Sequence, residues 1–508
     1  MIIKTMQTTN NFKLTALFIA IVLVGLTFKA KADEKKMNII FCLIDDMGWM
    51  DTGVYGSEYY ETPNIDKFAE KGMRFTNAYS ANPLCSPTRA SILTGRYPAR
   101  YDFTSAAGHL PANTDMVPGL KNKGAAWQKV STPNIRTYMP LEEQTIAEVL
   151  KKEGYTTAHI GKWHLGDADH FPEIQGFDKN IGGYALGWPR SYFSPYNNEK
   201  LPDGPDGEYI TDRITTEAIN FIKSNKEKPF YLNLWHFAVH GPFHAKKELV
   251  EKYENKHDPR GRQGFAVMAA MIESLDQNMG RLFKALEDEG IMDNTIIIFT
   301  SDNGGVEYIA HHGETITNNY PLRSGKANVH EGGIRVPCIV YWHGQTKGGT
   351  VSRQPISSVD FFPTMIDMVK ADKSLLENKI DGVSLVDVLK SDKPLNRKGI
   401  FVDFPHYTIA PANYPSTVLI NDNWKFIRVY GHAPNRENFY ELYKINEDIK
   451  EEFNVAANYP KVVKKLDALI SDHIKEIGHY EPAKNPEYDA KVESPLGKTL
   501  KKAKIEIQ

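Results

Sequence analysis

Cysteine is scarce. Three in 508 residues cannot build a disulfide framework, so the fold must rest on a packed core. Neither sign of charge dominates: 61 Lys and Arg stand against 63 Asp and Glu, a formal −2, which argues against a protein that coats nucleic acid. No sustained repeat occurs, which together with the apolar content excludes disordered, collagen-like and coiled-coil classes. Beyond the N-terminal segment no apolar run reaches the roughly 20 residues that span a bilayer. What is present is an ordinary globular composition, 41% hydrophobic and 11% aromatic, long enough for a large core and more than one domain.

The N-terminal segment reads as an address. Lys4 and Lys13 precede an apolar run from Leu14 to Phe28, which ends near Ala30-Lys31-Ala32. A basic start, a short apolar stretch and an A-x-A ending describe a secretory signal peptide, with cleavage expected before Asp33. A membrane anchor is the competing reading, and the run is short for one. Cleavage removes four lysines and no acid, taking the formal charge from −2 to −6. The expectation is an exported protein, periplasmic or secreted, with no stable membrane anchor.

Asn38–Ile44 (NIIFCLI) has the near-continuous apolar pattern of a strand buried on both faces. Similar runs lie at 156–160, 230–235, 295–300 and 337–341, with helical patterns between them at 141–152 and along a methionine-rich stripe from Met268 to Leu286. The stripe reads as core. Strands alternating with helices predict an α/β domain on a large, mostly parallel sheet flanked by helices, over residues 33–389. Residues 390–480 change character, with short alternating segments at 417–420 and 424–429 and a helical stretch at 459–474. They predict a smaller α+β subdomain with an antiparallel sheet. A lysine- and proline-rich tail, 481–508, is expected to wrap the surface or stay mobile. The polar stretch 103–140 has the length of a functional loop.

Asp45-Asp46 follows the first buried strand and Asp302-Asn303 follows the one at 295–300. In parallel sheets ligands bind beyond the carboxyl ends of strands. Unpaired carboxylates there would repel, so an all-oxygen set predicts a hard cation such as Ca²⁺ or Mg²⁺. Between them lies Cys85-Ser86-Pro87-Thr88-Arg89-Ala90-Ser91-Ile92-Leu93-Thr94-Gly95-Arg96. Pro87 suits a first helical turn, which sets Cys85 at a helix N-terminus, where backbone N–H groups favour anions. Arg89, one turn along, adds positive charge. A lone cysteine is ordinarily a small buried hydrophobe; C-x-P-x-R followed by A-S-I-L-T-G-R is far more specific than that.

From Asn38 to about Asn458 the chain resembles the type I, formylglycine-dependent sulfatases of the alkaline phosphatase superfamily, and in particular exported bacterial polysaccharide sulfatases. Gly161-Lys162-Trp163-His164-Leu165-Gly166 is similar to that family's G-K-W-H-L-G. His240-Gly-Pro242 is similar to its H-x-P, Lys326 stands before Glu331-Gly-Gly-Ile-Arg335, and Tyr440-Glu-Leu-Tyr443 resembles its E-L-Y segment with Lys444 in place of Asp. The resemblance implies an alkaline-phosphatase-like α/β fold and a Cys85 oxidised by a formylglycine-generating maturation enzyme. It implies one Ca²⁺ held by Asp45, Asp46, Cys85, Asp302 and Asn303. It implies that Cys85, Arg89, Lys162, His164, His240, Asp302 and Lys326 carry out sulfate ester hydrolysis. One hydroxyl of the hydrated aldehyde attacks sulfur while Asp302 takes its proton, and His240 with Lys326 assists the leaving oxygen. The second hydroxyl, deprotonated by His164, then expels sulfate, while Lys162 and Arg89 hold the nucleophile.

The expected substrate is a sulfated oligo- or polysaccharide. Family habit and the aromatic segment Tyr184–Tyr196, which can stack on sugars or pack as a loop, support that expectation. The composition and leader fit a bacterium degrading algal polysaccharides such as ulvan or carrageenan. An arylsulfatase, a phosphodiesterase or phosphonate hydrolase, and a non-catalytic glycan binder are the competing functions. The single oxygen-ligand set argues against a two-metal phosphatase. His109, His170, His330 and His432 receive no role. His236, His244, His311 and His312 are open between pocket and surface. Cys42 and Cys338 read as core, with pairing left open.

Overall fold

The computed structural model describes residues 35–107, 119, 123–496 and 500–508; the stretch read as a signal peptide, residues 1–32, and His109 lie outside them. A nine-stranded sheet forms the centre. Its strands are β1 (Asn38–Ile44), β2 (Met73–Tyr79), β3 (Thr156–Gly161), β4 (Lys179–Ile181), β5 (Phe230–Trp235), β6 (Thr295–Ser301), β7 (Arg335–Tyr341) and β8 (Thr350–Ser352), in the order β8-β2-β7-β6-β1-β5-β3-β4, with Ile356–Ser357 also on β2. β7 runs antiparallel to both neighbours and the remaining pairings are parallel. Every residue of β1, β5 and β6 is buried, which is why their sequences read as unbroken apolar runs.

β2 was not anticipated. Its sequence MRFTNAY mixes buried and half-buried positions and so has neither a continuous run nor a clean alternation. Helices α1 (Cys85–Thr94), α2 (Ile146–Lys152) and α3 (Ala266–Asp288) belong to the same unit. α2 begins later than the pattern from Leu141 predicts, because Thr145 and Glu148 close a reciprocal capping box there. On α3, Met268, Met271 and Met279 are buried together with Leu275, Leu282 and Leu286, so the methionine stripe is core.

The C-terminal strands β9 (Ile400–Phe404), β10 (Ser416–Asn421), β11 (Trp424–Val429) and β12 (Phe439–Lys444) form an antiparallel meander. Side-chain alternation gives this sheet two apolar faces. One packs Leu419, Phe426 and Leu442 on Leu466 and Ile470 of α4 (Pro460–Ile477). The other packs Val402, Val418 and Ile427 with Tyr79, Leu84 and Cys85, so the smaller sheet backs directly onto the start of α1. A buried charge network joins the same parts: Lys425 of β11 lies 2.9 Å from both Glu331 and Glu451, and Glu331 also holds Arg335 at the start of β7. The Glu331–Arg335 stretch of the sequence motif is therefore a structural joint.

The tail is pinned by strand pairing. Ala483–Lys484 pairs with Val130–Ser131, Lys501–Lys502 with Ile309–His311, and Ile505–Ile507 with Phe243–Ala245. Cys42 and Cys338 are free and buried on β1 and β7. Among the described residues no helix is long and apolar enough to cross a membrane.

Candidate active site

Register decides which chain segments meet. Ile44 sits opposite Ser301, Leu43 opposite Trp235, and Trp235 opposite Gly161, so β1, β6, β5 and β3 end at one level of the sheet. Backbone bonds carry the alignment past the strands: Asp302 N–H donates to Ile44 O (3.2 Å) and Lys162 N–H to Trp235 O (2.8 Å). Asp45, Asp46, Asp302, Asn303 and Lys162 therefore leave the sheet side by side, at the position where parallel sheets bind ligands. Gly161 is required in this turn. Its φ is +114°, and a Cβ there would lie 1.9 Å from the Trp235 carbonyl oxygen.

Cys85 is the first residue of α1. Leu84 caps the helix in extended conformation, Asn82 Oδ1 accepts the Leu84 N–H, and Gly95 ends it at φ +67°. All ten residues of the helix are buried. Arg89 is tolerated there because its Nε donates to Asp302 Oδ2 at 2.9 Å, a terminal nitrogen lies 2.7 Å from the same oxygen as an ion pair, and its other terminal nitrogen donates to Lys162 O at 2.9 Å. Lys162 Nζ lies 2.6 Å from Asp45, Lys326 Nζ 2.6 Å from Asp46, and His240 Nε2 3.6 Å from Asp46. Asn303 Nδ2 donates to Asp46 at 2.8 Å. His164 Nδ1 lies 3.3 Å from Cys85 Sγ. The structure thus brings every side chain singled out around Cys85 and the two acidic strand ends into one cluster, buried except for the partly exposed His240.

The protonation states follow from these neighbours. Burial and the nearby Lys162 hold His164 well below the usual histidine range, so its ring is neutral. Its Nε2 faces the Ala107 carbonyl oxygen at 2.8 Å, which can only accept, so Nε2 carries the hydrogen and Nδ1 offers Cys85 a lone pair. His240 is lowered by burial and then by Lys326, and its Nδ1 donates to Gly241 O at 2.6 Å. Burial works against the Lys326 ammonium, but Asp46, Cys85, Tyr308 and Asp45 together outweigh it and lift Lys326 well above the usual lysine range. The adjacent aspartates part ways. Burial pushes Asp46 up, but Lys326, His240 and Lys162 together bring it below the carboxylate range. At Asp45 burial wins over Lys162, and its pKa lies well above that range.

These residues fit a hard cation. One ligand atom each from Asp45, Cys85 and Asp302 lies within 4.8 Å of the others. Two further buried oxygens, Asp45 Oδ1 and Asn303 Oδ1, have no hydrogen-bond partner. Orphaned, converging carboxylate and amide oxygens are costly unless a positive charge sits between them.

Some contacts escape sequence reasoning because no motif marks them. Gly187 lies against the His164 ring: a Cβ added there would be 2.2 Å from Cε1. Tyr192 Oη lies 2.8 Å from Phe237 O and 2.7 Å from His240 O. Tyr308, raised to about 12 by burial, packs partly against the Cys85 cluster. Gly187→Ala is expected to displace the His164 imidazole and lower kcat at least tenfold with little change in Tm; an unchanged kcat would show that the ring is free to yield. The remaining histidines go elsewhere: His244 pairs with Glu506 at 3.3 Å, His311 packs on Phe265 and His312, and burial takes His236 down to about 3.

Comparison with known proteins matches residues 37–371 to the family described as Sulfatase, and residues 324–476 to that described as N-sulphoglucosamine sulphohydrolase, C-terminal. Human N-acetylgalactosamine-6-sulfatase is 35% identical over 383 residues, 71% of this chain and 67% of that protein. A sulfatase of Formosa agariphila is 30% identical, with 90% of each chain covered. Among solved structures, Ps i-CgsB in complex with k-i-k-neocarrahexaose superposes with a TM-score of 0.70 at 28% identity, covering 86% of this chain and 92% of that one.

Proposed function

This chain belongs to the sulfatase family and is a sulfuric ester hydrolase that removes sulfate from sulfated sugars, and on that premise we propose that it is an exported polysaccharide or oligosaccharide sulfatase working through oxidised Cys85 and one Ca²⁺. The observation that carries the chemistry is the placement of Cys85 Sγ at the N-terminus of α1. There it lies 3.3 Å from an unprotonated His164 Nδ1, beside Asp45 and Asp302. The sugar assignment leans on the carrageenan oligosaccharide bound by Ps i-CgsB and on the high coverage of the Formosa agariphila protein.

Asp45, Asp46, Asp302, Asn303 and position 85 would hold the cation, which supplies positive charge for the sulfate oxygens and makes a bound hydroxyl more acidic. Oxidation of Cys85 to the aldehyde supplies, on hydration, two hydroxyls where cysteine has one thiol. The chain's own groups do the rest. Arg89 and Lys162 hold Asp302 and Asp45 in place and cancel charge on the incoming anion. Asp302 Oδ1, which already takes the Asp46 N–H at 3.2 Å, is positioned to receive a proton from position 85. His164 Nδ1 receives the second, its Nε2–H fixed by Ala107 O. At the leaving oxygen Lys326 is the proton-bearing neighbour. His240, with its hydrogen on Nδ1, presents only a lone pair at Nε2, so it can serve the leaving oxygen only once its ring is protonated.

The reading is tested by free sulfate, measured by ion chromatography after incubation with sulfated algal and animal glycans, intact and shortened. Release from short chains alone marks attack at chain ends, and release from intact polymers marks an open cleft; no release from any sugar sulfate overturns the carbohydrate assignment. Treatment with EGTA is expected to lower kcat at least tenfold and to lower Tm, with recovery on adding Ca²⁺. Recovery with Zn²⁺ instead would overturn the all-oxygen cation assignment.

A further inference from the structure

The aromatic segment 184–196 is mostly not free to meet a ligand. Tyr184, Tyr192, Phe193 and Tyr196 are all 4% exposed or less, and their hydroxyls and rings are committed to the protein. What they hold is informative. Tyr184 O accepts the His164 N–H at 3.3 Å, and Tyr184 Oη donates to Trp188 O at 2.7 Å. Gly187 lies against the His164 ring, and Tyr192 Oη reaches the His240 carbonyl oxygen. One short loop is thus tied at its start to His164 and at its end to His240, the two histidines flanking the sulfate-cleaving cluster.

At its turn the loop leaves two side chains outward. Trp188, the residue after Gly187, is 40% exposed although an indole of its size normally gains by burial. Arg190 is exposed and forms no ion pair among the described residues. Pro189 between them is buried, which anchors the turn so that neither neighbour is on a loose tip. An outward aromatic face beside an unpaired guanidinium, on a backbone braced against the reacting centre, leaves both side chains free to meet a ligand.

Building on the proposed function, we propose that Trp188 and Arg190 form the sugar-recognition subsite next to the Cys85 centre. The Trp188 indole stacks on the ring that bears the scissile sulfate or on its neighbour. The Arg190 guanidinium pairs with a second anionic group on the substrate, a sulfate or a uronic carboxylate. The preferred substrate is then a sugar carrying two negative groups, of which the enzyme removes one.

Binding is measured by calorimetry in the Cys85→Ala background, which needs no turnover, and kinetics in the otherwise wild-type enzyme. The probes are a hexose with one sulfate, the same hexose with two, and a sulfated disaccharide containing a uronic acid. Arg190→Gln is expected to weaken binding and raise KM about tenfold or more for the doubly anionic probes, leaving the singly sulfated hexose within twofold. Comparing the second and third probes tells a sulfate from a carboxylate partner. Trp188→Ala is expected to raise KM at least tenfold for all three with kcat held within about threefold, and Trp188→Phe to restore most of the loss. Wild-type KM in both variants overturns the subsite, as does an equal fall in kcat on every probe, since that is the mark of a merely structural loop. Sugar binding without any sulfate release would instead overturn the proposed function and leave the subsite standing.

Discussion

Cys85→Ala is expected to abolish sulfate release, lowering kcat by about 10⁴-fold or more, while the protein still folds and still binds sulfated sugar. The size follows from the position. The residue is 1% exposed, starts a helix whose free N–H groups favour an anion, and faces the His164 lone pair at 3.3 Å. Alanine keeps the helix, since it is the best helix former, but removes the group between His164 and the carboxylates that is proposed to be converted to the nucleophile. Loss of one small buried group costs stability on the order of 1 kcal/mol, so the Tm of Cys85→Ala should stay within a few degrees of wild type. Ion chromatography of released sulfate, with mass spectrometry of the peptide containing residue 85, checks the result; substantial remaining turnover would sink the role of this residue.

Arg89→Ala is expected to be damaging in a different way, destroying stability along with activity. Its guanidinium is fully buried, donates from Nε to Asp302 Oδ2 and pairs with the same carboxylate at 2.7 Å, lies 3.7 Å from Asp45 and sits over the Trp235 ring. Removing it leaves buried carboxylates without their partner, which costs about 3–5 kcal/mol for a buried ion pair broken on one side. Thermal denaturation should show a marked fall in Tm. The double variant Arg89→Ala with Asp302→Ala should recover part of that loss, because the orphaned charge is then gone. Added Ca²⁺ should also recover part of it in the single variant by supplying replacement charge. Arg89→Ala with wild-type Tm would mean that Asp302 is already compensated by other groups.

The chemistry of this protein was legible wherever it is carried by local pattern. β1, β5 and β6 announce themselves because strands buried on both faces read as apolar runs. The acids after β1 and β6 stand out because carboxylates at the ends of such strands have no packing reason to be there. C-x-P-x-R reads correctly as a helix start, since proline belongs in a first turn. β2 stayed hidden because edge-ward neighbours leave it half-buried, and α2 began late because a capping box outranked apolar periodicity. The tail read as a surface wrap or mobile end, yet it donates strands beside the His240 loop, a pairing that depends on partners hundreds of residues away.

By itself, then, the sequence determined the α/β class and the family, and it marked the candidate nucleophile with the cations and acids proposed to surround it. Each of these rests on residue types at short spacing, which the chain carries regardless of how it folds. Only the tertiary structure decided which nitrogen of His164 faces Cys85, why Asp45 and Asp46 differ, that Gly187 presses on an imidazole, and that of a whole aromatic segment Trp188 alone keeps a wide ring in solvent. Those properties arise from burial and from neighbours brought in by register between distant strands. Register is a long-range quantity that no local window of residues contains.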